Sequence, residues 1–258
     1  MPEIPLPPAL AEQARRFAAE GGVPVEPRLA STVVLLREPP GAGLQAYLIR
    51  RVATMAFAAS MYAFPGGGVD PRDSAVHPAW AGPSPQEWAA RLGVDEAIAR
   101  SIVCAAVREV FEESGVLLAG PGPETVVGDV SGAEWEAARL ALIARELGFA
   151  EFLNARGLVL HSDLLVPWSR WITPEFEPRR FDTYFFLARL PGGQVTRDVG
   201  GEADETVWCA PGDAADGRYT MLPPTRVTLM DLAEAGSITA VLAAAPARNP
   251  ADAIRPTA

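Results

Sequence analysis

The chain has 258 residues, 49% of them hydrophobic, and 22 basic against 32 acidic residues give it a formal net charge of -10. That length and apolar content suffice for a sizeable core. The carboxylate surplus argues against a nucleic-acid or anionic-membrane partner, since both need clustered cations. An anionic substrate would need a bridging cation or local arginines. Cys104 and Cys209 lie far apart in apolar stretches and read as buried free thiols. With no signal-like or membrane-length apolar window, the expected location is a reducing one, the cytoplasm.

Residues 9 to 20 have helical composition, ended by "EGGVPVEP". "RLASTVVLLRE" (28 to 38) reads as a buried strand and "LQAYLIRR" (44 to 51) as its hairpin partner across "PPGAG". "AFPGGGVDPRDS" reads as a backbone-controlled loop, because three glycines behind a proline suit neither helix nor strand interior. In "PSPQEWAARLG", Ser84 is placed to cap a helix that begins at Pro85. Asp95 is placed to cap the next, "EAIARSIVCAAVREVFEES", and Gly115 suits its left-handed end.

"GVLLA" reads as a short buried strand, "PGPETVVGDVSG" as linker and "AEWEAARLALIARELG" (133 to 148) as an amphipathic helix. "GLVLHSDLLV", "SRWITP", "FDTYFFLARL" and "ETVWCA" carry strand signals, "PPTRVTLMDLAEAG" reads as a helix, and the final ten or so residues look disordered. Strands interleaved with helices predict an α/β sandwich on a mixed sheet.

The chemically informative stretch is "VREVFEESGV", residues 107 to 116. At about 100° per residue, Glu109, Glu112 and Glu113 fall in one arc beside the apolar face of Val103, Ala106, Val107 and Val110. Like charges at i,i+3 and i,i+4 each cost an isolated helix roughly 0.2–0.5 kcal/mol. Negative charge in the last turn opposes the helix dipole by about 0.3–1 kcal/mol more. A solvated acidic face is one reading. A hard divalent cation that cancels the repulsion is the other, and it suits metal-assisted hydrolysis of a phosphoanhydride.

"REVFEESGV" matches every defined position in the second half of the Nudix box, Arg-Glu-U-x-Glu-Glu-x-Gly-U with U aliphatic, and the chain resembles the Nudix hydrolases. "FPGGGVDPRD" supplies the lead-in, with Gly67 as the box glycine and Asp73 six residues on, where the family usually has glutamate. Residues 74 to 107 lie between Asp73 and Arg108, where the plain pattern allows seven. An insertion costs little here, because loop-closure entropy grows only logarithmically with length. Its helix is equally open to capping a substrate pocket and to decorating the surface. Together with "ITPEFEPRRFDTYFFLARLP", this resembles the inserted-box branch that includes peroxisomal coenzyme A diphosphatases and bacterial relatives.

The resemblance implies a Nudix αβα sandwich with a mixed β-sheet, one domain over 1–258 with its core at about 28–235 and a helical insertion at about 74–100. It implies Mg²⁺ or Mn²⁺ on Glu109, Glu112 and Glu113, and a further carboxylate from "GGEADETVW", with Glu202 favoured and Glu205 next. Arg108 would pair with Asp73 and orient the glutamates, while Gly66, Gly67, Gly68 and Gly115 shape the backbone. Arg179 and Arg180 are candidates to hold phosphates, against a surface ion pair with Glu175, Glu177 or Asp182. Trp168, Trp171, Phe181 and Tyr184 read mainly as core, and His77 and His161 match no catalytic pairing.

The expected partner is a small nucleotide-type diphosphate, most of all coenzyme A or acyl-coenzyme A. The alternatives are ADP-ribose, a dinucleotide or a nucleotide sugar, and a non-catalytic nucleotide-binding regulator. Another branch of coenzyme A diphosphatases has arginine and glycine eight and four residues before the Phe of Phe-Pro-Gly-Gly; here those places hold Ala56 and Ser60. The resemblance also allows a homodimer.

Overall fold

A computed structural model describes residues 8–53, 58–197 and 203–256. In chain order its elements are α1 (Pro8–Ala19), β1 (Arg28–Arg37), β2 (Gln45–Arg51), β3 (Tyr62–Ala63), β4 (Gly66–Gly68), α2 (Arg72–Ala75), β5 (Ala79–Ala81), α3 (Pro85–Leu92) and α4 (Glu96–Ser114). There follow β6 (Ala119–Gly120), α5 (Ala133–Ile143), α6 (Phe149–Ala155), β7 (Val159–His161), β8 (Val166–Ile172), β9 (Phe181–Arg189), β10 (Ala203–Cys209), α7 (Pro211–Asp213), α8 (Pro223–Ala235), α9 (Ile238–Ala244) and β11 (Ala253–Ile254).

β1 organises the main sheet, whose order is β10-β2-β1-β9-β8-β11, with β3 added to β2 and β4 to β1. The β1·β9 and β8·β11 pairs are parallel and the others antiparallel, so the sheet is mixed. Both faces of β1 are covered, which is why it reads as an unbroken apolar run. Val33 and Leu35 join a core with Trp88, Val103, Val107, Val110 and Phe152 from α3, α4 and α6. Val34 and Leu36 join the opposite core with Leu229, Leu232 and Val241 from α8 and α9. Each such side chain contributes about 1.5–3 kcal/mol on burial, and the result is helices on both faces of one sheet.

Local chemistry sets the ends of the helices beside the site. Ser84 and Glu87 form a reciprocal capping box on α3, with Pro85 at its first position. Asp95 occupies the N-cap position of α4 without a side-chain cap bond, and Gly115 ends it in the left-handed region at φ 71°. α3 buries Trp88 and Leu92 completely, with Trp88 edge-on to Phe186, so it belongs to the core and is not a surface decoration.

Some expectations need correction. The hairpin of β1 and β2 exists only at its tip, Leu36↔Ala46 and Arg37↔Gln45, because β4 pairs with β1 from Ala30↔Gly68 to Thr32↔Gly66. The three glycines therefore form a strand and not a loop. A Cβ at Gly66 would lie 2.5 Å from Thr32 Oγ1 and 2.6 Å from the Ser31 carbonyl, so only bare backbone approaches this closely.

The helix expected to 148 stops at Ile143; Arg145 turns the chain with φ 60° and α6 restarts at Phe149. Val116 to Leu118 are buried, but only Ala119 and Gly120 pair as a strand. Within the stretch expected to be disordered, Ala253 and Ile254 pair in parallel with Arg170 and Trp171 of β8. Cys104 and Cys209 are buried free thiols, pushed up to about 12 and about 11 by burial.

Candidate active site

α4 crosses the sheet over β1 and β4, and the buried Ser31 hydroxyl fixes it by donating to the Ile102 carbonyl at 2.7 Å. One helical face then meets the glycine strand. Arg108, only 8% exposed, is the hub. Its Nε donates to Asp73 Oδ1 at 3.0 Å and its Nη2 to Asp73 Oδ2 at 3.1 Å, the fork-to-fork geometry that arginine makes with a carboxylate. Nη2 also donates to the Gly68 carbonyl at 2.9 Å, while Nη1 reaches Glu109 Oε1 at 2.7 Å and Glu112 Oε1 at 3.3 Å. Asp73 in turn accepts the Asp70 backbone N–H at 2.9 Å, which closes the turn behind β4.

Each glutamate is differently placed. The Gly66 backbone N–H donates to Glu113 Oε2 at 2.7 Å. Glu109 packs on Gly67, where a Cβ would stand 2.5 Å from its Oε1. Burial pushes the Glu109 carboxyl up to about 7; Arg108 opposes the rise, while Glu112 and Asp73 add to it. Burial works against the Arg108 cation, but Glu109 and Asp73 outweigh it and hold its pKa above the ordinary value.

Among the described residues, no three Asp, Glu, His or Cys side chains are gathered so as to hold a metal ion. Arg108 Nη1 stands on Glu109 and Glu112, and the Gly66 amide holds Glu113. The donor set nonetheless fits a hard cation. Asp73, Glu109, Glu112 and Glu113 outnumber the one guanidinium among them, and magnesium takes few protein carboxylates alongside waters and phosphate oxygens.

Glu202 falls outside the described residues. Glu205 pairs with Arg50 Nη1 at 2.7 Å across the β10·β2 edge. Arg179 is exposed in the turn before β9, and Arg180 donates to the carbonyls of Thr173 at 3.0 Å and Val25 at 2.8 Å. That turn lies at the sheet end where Val69 N–H meets the Leu29 carbonyl. Asp182 is engaged by Arg170 at 2.6 Å and 2.7 Å. Trp168, Trp171 and Tyr184 are buried in the core, His77 is exposed, and the buried His161 faces the Gly122 carbonyl.

Two residues were not anticipated. Arg72 pairs with Asp70 at 2.8 Å and donates to the Arg145 carbonyl at 2.8 Å, tying the turn behind β4 to the end of α5. Arg139, 1% exposed, donates to the Glu112 carbonyl at 2.7 Å. Its only sequence signal is the i,i+3 spacing to Glu136.

A carboxylate-bearing helix facing a glycine strand on a mixed αβα sandwich is the arrangement of a Nudix hydrolase. The family described as the NUDT19 Nudix domain matches residues 91–222, about half of the chain, and the chain belongs to it. A crystal structure of a NUDIX hydrolase from Alicyclobacillus acidocaldarius is similar at 26% identity and TM-score 0.69, covering 85% of this chain and 96% of that one. Nudix hydrolase 7 of Caenorhabditis elegans is 29% identical over 191 residues, 72% of this chain. The chain spans about half the length, 55%, of that curated relative.

Proposed function

We propose that the chain hydrolyses a pyrophosphate linkage in a nucleoside diphosphate derivative with the help of Mg²⁺ or Mn²⁺, and that coenzyme A or acyl-coenzyme A is the substrate. The observation that carries the reading is the Arg108 fork. A buried guanidinium holds Asp73, Glu109 and Glu112 against the glycine strand and leaves an excess of negative charge. A protein that only bound a nucleotide would gain nothing from that cost. Family membership supports the chemistry, and likeness to the inserted-box branch supports the substrate.

Glu112, Glu113 and Glu109 would hold the cation, and Arg108 and Asp73 orient them. When bound, the cation supplies Lewis-acid polarisation of a phosphoryl oxygen and a lowered pKa for bound water. The chain's own part is positional. Asp73 fixes the Arg108 plane, Arg108 fixes two carboxylates, and the glycine strand brings bare backbone alongside them. Glu202 would complete the site as a further ligand or general base.

A substrate panel with Mg²⁺ and with Mn²⁺, scored by product identity, tests this. Conversion of coenzyme A to two phosphomonoesters is the expected result. Faster turnover of ADP-ribose, a dinucleotide or a nucleotide sugar would replace the substrate, and nucleotide binding without turnover of anything would end the hydrolase reading.

A further inference from the structure

The last turn of α4 carries Glu112 and Glu113, and its end carbonyls have no partners within the helix. Two arginines from outside reach them. Arg139 of α5 donates from Nη1 to the Glu112 carbonyl at 2.7 Å. Arg197, on the segment leading to β10, places Nη2 3.5 Å from the Gly115 carbonyl, and its backbone N–H donates to the Ser114 carbonyl at 2.9 Å. Both guanidiniums meet one carboxylate. Arg139 Nε donates to Glu136 Oε2 at 3.0 Å, Arg139 Nη2 to Glu136 Oε1 at 2.5 Å, and Arg197 Nη1 to Glu136 Oε2 at 3.1 Å. Salt-bridged to both, Glu136 is held below the ordinary carboxylate range, chiefly by the Arg139 hydrogen bond.

We infer that Glu136 is a positioning residue, the knot of a two-arginine clasp that sets the last turn of α4 and hence the aim of Glu112 and Glu113. The inference rests on the metal role proposed for those glutamates. Three features favour it over simple packing. Arg139 is buried to 1% exposure yet spends a donor on the backbone of Glu112 itself. A positive charge at a helix C-terminus offsets the dipole that the glutamates oppose. Arg197 is also tied to α4 through its own backbone N–H on the Ser114 carbonyl, so one carboxylate holds a second segment of the chain against the helix end.

The test is Mn²⁺ binding by calorimetry to the full chain in wild type, Glu136→Gln, Arg197→Gln and the double variant, with thermal unfolding in parallel. Outer-shell partners of metal ligands typically command 10–100-fold in affinity. Glu136→Gln should weaken Mn²⁺ roughly 10-fold, and Arg197→Gln, on a partly exposed side chain, several-fold. The double variant should be no weaker than Glu136→Gln alone, because the two act through one clasp. Unchanged Mn²⁺ affinity in a folded Glu136→Gln would overturn the inference, as would strictly additive losses. If Glu136→Gln fails to fold, Arg197→Gln decides alone: unchanged affinity refutes the clasp. A wild type that binds no Mn²⁺ would instead refute the metal role on which the clasp depends.

Discussion

Gly66 and Glu113 are joined across 47 positions of chain by a 2.7 Å hydrogen bond from the glycine backbone N–H to Glu113 Oε2. The next glycine, Gly67, lies against Glu109. A strand with no side chains thus meets two of the three glutamates in the last two turns of α4, and what a methyl group would meet at each position differs.

At Gly66 the methyl meets the Ser31 carbonyl and Thr32, part of the sheet itself. Gly66→Ala is therefore expected to cost about 1–3 kcal/mol of stability, the usual penalty of overpacking. At Gly67 its three nearest atoms all belong to the Glu109 carboxylate, the far end of a side chain and not backbone. Gly67→Ala should lower kcat about 10-fold or more while stability falls by less than about 1 kcal/mol. Urea unfolding and steady-state rates on both variants check this; equal stability losses would contradict it.

Asp73 is the buried counter-charge of Arg108, at 1% side-chain exposure. Asp73→Ala removes the carboxylate that fixes the Arg108 plane, while Glu109 and Glu112 still neutralise the cation, so it should cost about 1.5–3 kcal/mol, the range for hydrogen bonds to a charged group. The shift in urea midpoint at constant slope measures it.

Asp70 is drawn down to about 2, chiefly by its hydrogen bond from Arg72. Its folded pKa lies below the unfolded value of about 3.9, so its contribution is complete above pH ~4 and is lost as pH falls toward ~2. Arg72 is partly exposed, which limits the effect to on the order of 1 kcal/mol. The stability gap between wild type and Arg72→Ala should be constant above pH ~4 and shrink by that amount toward pH ~2. A gap that stays constant down to pH ~2 would refute the pairing.

Trp88 is fully buried on α3, edge-on to Phe186 at 5.8 Å between ring centroids. Trp88→Ala should cost about 3–5 kcal/mol, far more than a helix laid on the surface would lose. Thermal or urea unfolding measures it.

The sequence made much of this legible where one rule acted alone. Ser84, Pro85 and Gly115 marked helix ends because capping is local. β1 announced itself because both its faces are buried. The glycine strand is not legible because "PGGG" carries no β signal; what makes it a strand is a partner far back in the chain, with Gly66 opposite Thr32, Gly67 opposite Ser31 and Gly68 opposite Ala30. Strand pairing is non-local, and propensity is not. The end of α5 was missed because Arg145 adopts a left-handed conformation that is rare outside glycine. Arg72 and Arg139 are not legible as site residues because each reaches across the fold to a backbone carbonyl, of Arg145 and of Glu112, which no side-chain pattern encodes.

The most direct measurement is kcat for wild type and Glu112→Gln at saturating Mn²⁺ on whichever diphosphate the panel selects. Glu112 is partly exposed, at 12% of its side chain, so the variant should fold. Loss of a metal ligand should cost at least the ~100-fold that outer-shell partners can command, with thermal stability nearly unchanged. A folded Glu112→Gln with wild-type kcat would contradict the assignment of the α4 carboxylates to a metal-dependent active site.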